Sequence, residues 1–289
     1  MRNLLLLLLA TAPLSACAAP QKASPPPASA PAQVEGTLSL LWTQTSVEFA
    51  AVTRAAFGQA ASALPALVAD PTAFAAVEQT AAAALPPAVV LDLDETVLDN
   101  SAYQVWLVKT GQSYTSDTWA AWCDAGEATL IPGAREFLLG AVAQGVTPLY
   151  ISNRDASCEA ATRRNLEALG VPIVEADGVD AVLLKKEQPT WGSDKGTRRL
   201  EIAKRYRIVM LVGDNFGDFL DGIALSIADR AALAQPYVGW WGSRWIPLPN
   251  PQYGSWDGAA FGHKSSLPSA EQTSARVAAL RGWAGPTPK

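Results

Sequence analysis

Histidine is almost missing from this chain: His263 is the single one among 289 residues. A His-rich zinc site is therefore excluded, as is any mechanism that needs two histidines. Cysteine is scarce as well, with three residues, of which Cys17 lies near the N-terminus and only Cys123 and Cys158 lie in the body of the chain. Positive charge is also short, since 22 Lys and Arg stand against 27 Asp and Glu, a net charge of −5. That balance leaves no basic footprint for a nucleic-acid polymer. Long apolar runs are lacking, and Leu4 to Leu9 is too short to span a bilayer by itself. What the chain does have is alanine, which supplies much of the 49% hydrophobic content, and ten tryptophans, mostly in two clusters. The length suits one sizeable domain with a small satellite.

The N-terminus reads as a targeting segment. Met1-Arg2-Asn3 is a short basic start, Leu4 to Leu9 is apolar, and small residues lead to Leu14-Ser15-Ala16-Cys17. This is the layout of a bacterial secretory signal. Leu-Ser-Ala-Cys resembles the lipobox of bacterial lipoproteins. The resemblance implies removal of residues 1–16, lipidation of Cys17, and, with Ala18 rather than Asp following, an outer-membrane address. The alternative is an ordinary signal peptide with an incidental Cys. Residues 17–36 then form a lipidated, Pro/Ala-rich tether without the apolar content for a core. An exported chain could join Cys123 to Cys158, or keep both as buried free thiols.

The chain is organised around Ala88 to Ser101, reading Ala-Val-Val-Leu-Asp-Leu-Asp-Glu-Thr-Val-Leu-Asp-Asn-Ser. Val89 to Leu91 is a short continuous apolar run, as in a strand buried on both faces. It ends in Asp92 and Asp94, which an extended backbone puts on the same side. Two such carboxylates repel each other and need a cation or a shared proton. The bland alternative is an acidic surface turn.

Around this stretch the pattern alternates. Helices are expected over about 37–63 and 72–84, broken by Pro65 and Pro71, then over 101–108, 116–125 and 134–144. A strand over 146–151 ends in Ser152-Asn153-Arg154-Asp155, and a helix follows over 157–169. Short strands are expected at Ile173-Val174 and Ala181 to Leu184, then a polar loop, a helix over 195–206 and a strand over 208–212. That last strand runs into Gly213-Asp214 and on to Asp218. The tail from about Leu233 reads as an irregular, Trp-rich wrap ending in a helix over 276–283. This alternation implies an α/β fold with a doubly wound parallel sheet, the helical satellite being about 37–84 and 101–130 within a domain of 37–289. Polar residues after three apolar strands belong at the carboxyl edge, where such sheets bind ligands.

Asp92-x-Asp94, then Ser152, then Lys195, then the late pair Asp214 and Asp218 resemble, in order, the four motifs of the haloacid dehalogenase (HAD) superfamily of phosphotransferases. The closer resemblance is to the class C acid phosphatases, the lipoprotein e(P4) family of 5′-nucleotidases. It rests on the ten residues Asp92 to Ser101, on Ser152-Asn153-Arg154, on Gly213-Asp214-Asn215 through Asp218-Phe219, and on Pro249 to Gly254. The likeness covers about residues 38–285. It implies a phosphomonoesterase working through an aspartyl-phosphate, with Asp92 as nucleophile and Asp94 as the acid and then the base. Mg²⁺ suits such an oxygen-rich site. Asp92 and Asp214 would supply side-chain oxygens, Asp94 its backbone carbonyl, and Asp218 would orient the ligands from outside. Ser152, the Asn153 amide and Lys195 would stabilise the equatorial phosphate oxygens.

Lys195 competes with Lys185 and Lys186, which also follow a strand. Lys195 leads a helix N-terminus, where phosphate oxygens bind well, although Glu187 to Ser193 is an insertion relative to the family pattern. Tyr114, Trp119 and Tyr253 are the aromatics that the resemblance places over the site, where facing rings could sandwich a nucleobase. The rival for these rings is plain core packing. The expected partners are a phosphomonoester substrate and a membrane reached through the lipid anchor, with the domain in the periplasm or at the cell surface. A homodimer is left open. Two other readings stand beside the nucleotidase: a broad-specificity phosphatase or phosphotransferase without base preference, and a surface lipoprotein binding haem or another planar ligand.

Overall fold

The computed structural model describes residues 36–80, 84–175, 178–283 and 285. The expected signal segment, Cys17 and nearly all of the tether lie outside these residues.

Apolar runs ending in polar residues become parallel strands that share one functional edge. The first half of the chain runs α1 (Thr37–Thr45), α2 (Val47–Ala69), β1 (Pro87–Leu91), β2 (Leu98–Asp99), α3 (Ser101–Thr110), α4 (Ser116–Ala125) and β3 (Thr129–Leu130). It continues with α5 (Ala134–Ala143), β4 (Thr147–Asp155), α6 (Glu159–Ala168), β5 (Val182–Lys185), α7 (Gly196–Ala203) and β6 (Arg207–Gly213). The last part holds α8 (Ile227–Ala234), β7 (Trp245–Pro247), α9 (Ser255–Gly258) and α10 (Ser269–Ala279). The main sheet has the order β5-β4-β1-β6-β7, and each of its pairings is parallel. β2 and β3 form a separate antiparallel pair. With helices against this sheet, the fold is the α/β class expected.

β1 is central and β6 is buried along its whole length, which explains their unbroken apolar sequences. Each helix covers part of the sheet or a neighbour: α2 packs on α5, β6 and β7, α5 on β4, α6 on β5, and α7 on β6. α1 packs on α3, and α4 on α6.

Several boundaries differ from the sequence expectation. α2 runs through Pro65 to Ala69. Pro65 is exposed, so its ring meets solvent and the helix loses only one internal hydrogen bond. The helix expected over 72–84 is not formed in its described part. Tertiary partners claim that segment instead. Ala75 N donates to Ile208 O at 2.7 Å, and the Gln79 amide donates to Tyr206 O at 2.7 Å while its carbonyl accepts from Ile208 N at 3.0 Å. Ile173-Val174 forms no strand, and the carbonyl of the preceding Pro172 accepts the Tyr150 hydroxyl at 2.8 Å. The final helix begins earlier, at Ser269 after Pro268, and Arg276 falls in its last turn. The aromatic tail also adds an unexpected strand, β7, whose Trp245 is fully buried among Phe219, Tyr237, Trp240 and Trp241.

Candidate active site

β1 delivers its carboxylates by stopping abruptly. Asp92 N still bonds to Val212 O at 3.0 Å, as one further rung of the ladder to β6. Beyond it the chain folds back, with Val97 N and Leu98 N both donating to Leu93 O at 2.9 and 2.8 Å. Glu95 stands at the turn with φ of 61°, a left-handed backbone unusual for a residue with a side chain. Its surroundings hold it there: Glu95 N donates to Leu98 O at 2.7 Å and Asn100 N donates to its carboxyl at 2.9 Å. Asp92 and Asp94 consequently line one cavity of about 590 Å³ together with Lys195, Asp214, Asp218 and Tyr253.

Lys195 is the cation in this group. It caps the start of α7, and its ammonium pairs with Asp92 and, at 2.7 Å, with Asp218. A third bond, at 2.7 Å, goes to Ile151 O in the middle of β4. Lys185 and Lys186 point elsewhere and pair with Asp155. Asp214, just after β6, accepts from Asn250 Nδ2 at 2.9 Å and from Thr96 Oγ1 at 3.2 Å. Gly213 is required at that strand end, because a Cβ would collide with the Asp218 carboxylate folded back against it.

Asp92, Asp214 and Asp218 can each place a carboxylate oxygen within 4.8 Å of the others. The one ammonium pairs with two of these three acids, so negative charge is in excess. Burial, with the charges of Asp218 and Asp94 adding to it against the pull of Lys195, pushes Asp92 up to about 7. Burial, Asp218 and Asp92 push Asp214 well above the usual carboxylate range. For Lys195, burial works downward, but Asp218 and Asp92 outweigh it and the net direction is up. A crowded, oxygen-only donor set with surplus charge fits a hard divalent cation.

Asp94 is held differently. Arg154 grips it with Nη2 at 2.8 Å and Nε at 3.0 Å from Oδ1, and Asn100 Nδ2 adds a bond at 3.0 Å. The ladder between β4 and β5 shifts register between Ser152 and Asp155, which frees Arg154 to turn towards Asp94. Ser152 is fully buried and does not line the cavity; its hydroxyl lies 3.3 Å from Asp94 Oδ2 and accepts from Arg154 N at 3.1 Å. Asn153 does line it, with its amide donating to Ser193 O at 2.9 Å and its side-chain carbonyl accepting from Arg198 Nη2 at 2.6 Å.

The three predicted aromatics all line the same cavity. Tyr114 is 59% exposed and lies 6.1 Å from Trp119, with the rings tilted by 46°. These two touch each other and so do not make a parallel slot; Tyr253 forms a separate part of the lining. The Tyr253 hydroxyl donates to Glu95. Burial, reinforced by Asp94 and Asp214, holds the Glu95 carboxyl well above its ordinary range.

Sequence reasoning assigned no role to Glu95, Arg154 or Asn250, although each stands inside a motif that drew attention. A further set gave no local signal. Arg199 is fully buried and binds Glu78 through Nη2 at 2.6 Å, Asp221 at 2.9 Å and Asp218 O at 3.0 Å. Asp221 in turn accepts from Gly196 N at 2.8 Å, beside Lys195. Arg198 donates to Ser152 O at 2.6 Å as well as to Asn153. Two adjacent arginines thus tie the Lys195 turn to β4 and to the turn after β6.

A carboxylate pair at the carboxyl end of the central strand, faced by a lysine and two late carboxylates, is the arrangement that the resemblance to the HAD superfamily leads one to expect. Residues 12–256 match the family described as HAD superfamily, subfamily IIIB (acid phosphatase). The fold is similar to the class C acid phosphatase from Bacillus anthracis, at 33% identity and a TM-score of 0.76, over 87% of this chain and 99% of that one. A second structure of that Bacillus anthracis enzyme, with tungstate bound, matches at 32% identity and a TM-score of 0.76, over 87% of this chain and 98% of the other. The chain belongs to the HAD subfamily IIIB acid phosphatases and is a phosphoric monoester hydrolase.

Proposed function

We propose that this acid phosphatase is a Mg²⁺-dependent 5′-nucleotidase that works through an aspartyl-phosphate on Asp92, carried on an outer-membrane lipoprotein anchored at Cys17. The observation that carries the catalytic part is the pairing of Lys195 with both Asp92 and Asp218 at the mouth of β1. Lys195 holds Asp92 in place and offers positive charge to the incoming phosphate. Asp92 attacks phosphorus and the P–O bond to the leaving group breaks. Asp94, aimed by Arg154, Asn100 and Ser152, hands a proton to the departing alkoxide and takes one from the water that releases phosphate. Asp92, Asp214 and the Asp94 carbonyl, steadied by Asp218, would hold Mg²⁺, which supplies charge neutralisation between the phosphate dianion and the acids. Asn153 lines the same cavity, where its amide would meet the equatorial phosphate oxygens.

The nucleotide preference rests on Tyr114, Trp119 and Tyr253 lining the cavity that holds the acids. Stacking accepts any base through its π-face, so purine and pyrimidine monophosphates are both expected substrates. The test is phosphate release with and without Mg²⁺ from 5′-nucleotides, aryl phosphates and sugar phosphates side by side. Faster turnover of nucleotides that is lost with EDTA and restored by Mg²⁺ supports the reading. Equal turnover of all three classes leaves a broad phosphatase, and activity indifferent to chelation removes the metal. The anchor is tested separately: Cys17→Ser should free the protein from membranes or leave its precursor uncleaved.

A further inference from the structure

Cys123 and Cys158 take no part in the phosphatase chemistry, yet they meet beside it. Cys123 sits in the last turn of α4, and Cys158 ends the 3₁₀ turn (Ala156–Cys158) that joins β4 to α6. Both are buried free thiols, and with Ala161 they form a small cluster separate from the main core, against which Trp119 packs. The two side chains share that cluster because the end of α4 packs on this 3₁₀ turn. Two cysteines held in one small cluster on packed elements can be joined without rearranging the backbone when their Cα atoms lie within disulfide reach. The neighbourhood also favours a nucleophilic sulfur at Cys158. The neighbouring Cys123 is the largest influence lowering Cys158, and the Arg154 guanidinium assists it against burial. α4 also carries Trp122, whose Nε1 donates to Asn100 Oδ1 at 2.8 Å, while Arg154 lies over Trp119 at 5.6 Å from the ring centre.

We propose that Cys123 and Cys158 form a reversible disulfide that fastens α4, with its cavity-lining Trp119, to the turn behind Arg154. The oxidant is a disulfide, either a small one such as oxidised glutathione or one in a protein. The Cys158 thiolate attacks one sulfur of that disulfide, forming a mixed disulfide and releasing one thiolate. Cys123 then loses its proton and attacks the Cys158 sulfur, which closes the internal bond and expels the second thiolate. Two protein thiols are oxidised and one external disulfide is reduced to two thiols. The proposal is independent of the nucleotidase reading and of the lipid anchor.

The test is peptide mapping of the folded full-length chain after exposure to oxidised glutathione, with free thiols alkylated before digestion. A peptide pair joined through Cys123 and Cys158, two hydrogens lighter than the sum of the reduced peptides and separated by dithiothreitol, is expected. The oxidised protein should also melt higher than the reduced one, on the order of 5–10 °C, because a closed loop restricts the unfolded chain. Cys123→Ala should abolish that difference. Complete alkylation of both cysteines after oxidation, or equal melting of oxidised and reduced wild type, would overturn the proposal. Mapping needs only the wild-type chain, so it decides the matter even where the variant does not fold.

Discussion

Asp92 and Asp94 are two residues apart and have the same side chain, yet their surroundings are opposite. Asp92 faces two other acids and one lysine, whereas Asp94 is clamped by an arginine. Replacing Asp92 by Asn keeps its size and removes the attacking oxygen. Near-total loss of phosphatase activity is expected, with the circular dichroism spectrum unchanged; a loss of less than about tenfold, ~1.4 kcal/mol of barrier, would sink its assignment as nucleophile. Arg154→Lys keeps the charge but loses the two-nitrogen grip on Asp94. We expect kcat to fall roughly 100-fold with little change in KM, since a misaimed acid harms the reaction more than binding. For Tyr253, its bond to Glu95 gives the ring a fixed pose at the cavity. Tyr253→Ala should raise KM for nucleoside monophosphates several-fold more than for a sugar phosphate, each stack being worth about 1–3 kcal/mol. An equal rise for both, with a lower melting temperature, would show a structural ring instead.

At the scale of elements, α2 depends on a residue far along the chain. Arg207, at the start of β6, donates to the carbonyls of Leu67, Val68, Asp70 and Ala73 at 2.7 to 3.1 Å. These include carbonyls that the end of α2 leaves without helical partners. Arg207→Ala should therefore destabilise the protein by about 2–4 kcal/mol in urea unfolding, while kinetics at low temperature stay near wild type. Pro65 acts in the other direction. It is exposed and sits inside α2, so Pro65→Ala restores a helical hydrogen bond at no packing cost. A gain of about 1–3 kcal/mol is expected, and no gain would mean that the ring is itself packed.

For the molecule as a whole, the buried acids make stability depend on pH and metal. Asp92 is raised to about 7, and Asp214 and Glu95 are raised as well, each by burial first. A carboxyl with its folded pKa above its unfolded one holds more protons folded than unfolded between the two values. Its stabilising contribution is full at low pH and is lost as pH rises from about 4 towards about 7. The chelated protein should thus lose melting temperature over that interval. Added Mg²⁺ should raise the melting temperature more at pH 7 than at pH 4, because it replaces the missing protons. Calorimetry in EDTA and in Mg²⁺ across this range checks both, and an EDTA profile that rises with pH would contradict them.

Much of this was legible from residue order alone. The apolar runs Val89–Leu91 and Ile208–Val212 are buried strands, and a polar residue directly after each lies at the strand's carboxyl end. That reasoning placed Asp92, Asp94, Asp214 and Asp218 at one edge without coordinates, whereas Asn153 lies inside β4, which runs four residues past the expected end at Ile151. It also placed α4 at its observed bounds, where Thr115 and Gly126 mark the ends. Long-range competition was not legible. Residues 72–80 have the alanine of a helix, but Gln79 and Glu78 find partners on β6 and α7 that a helix would have denied them. Trp245 reads as one more loop aromatic until the sheet edge beside β6 pairs with it. Arg154 looked like motif filler because nothing local says that a register shift in β4 turns it onto Asp94. Local order thus determines which residues can stand at the carboxyl edge, since that follows from chain direction and burial. Their decisive charged partners come from other segments, as Arg154 does for Asp94 and Lys195 for Asp92, and only the closed fold brings them together.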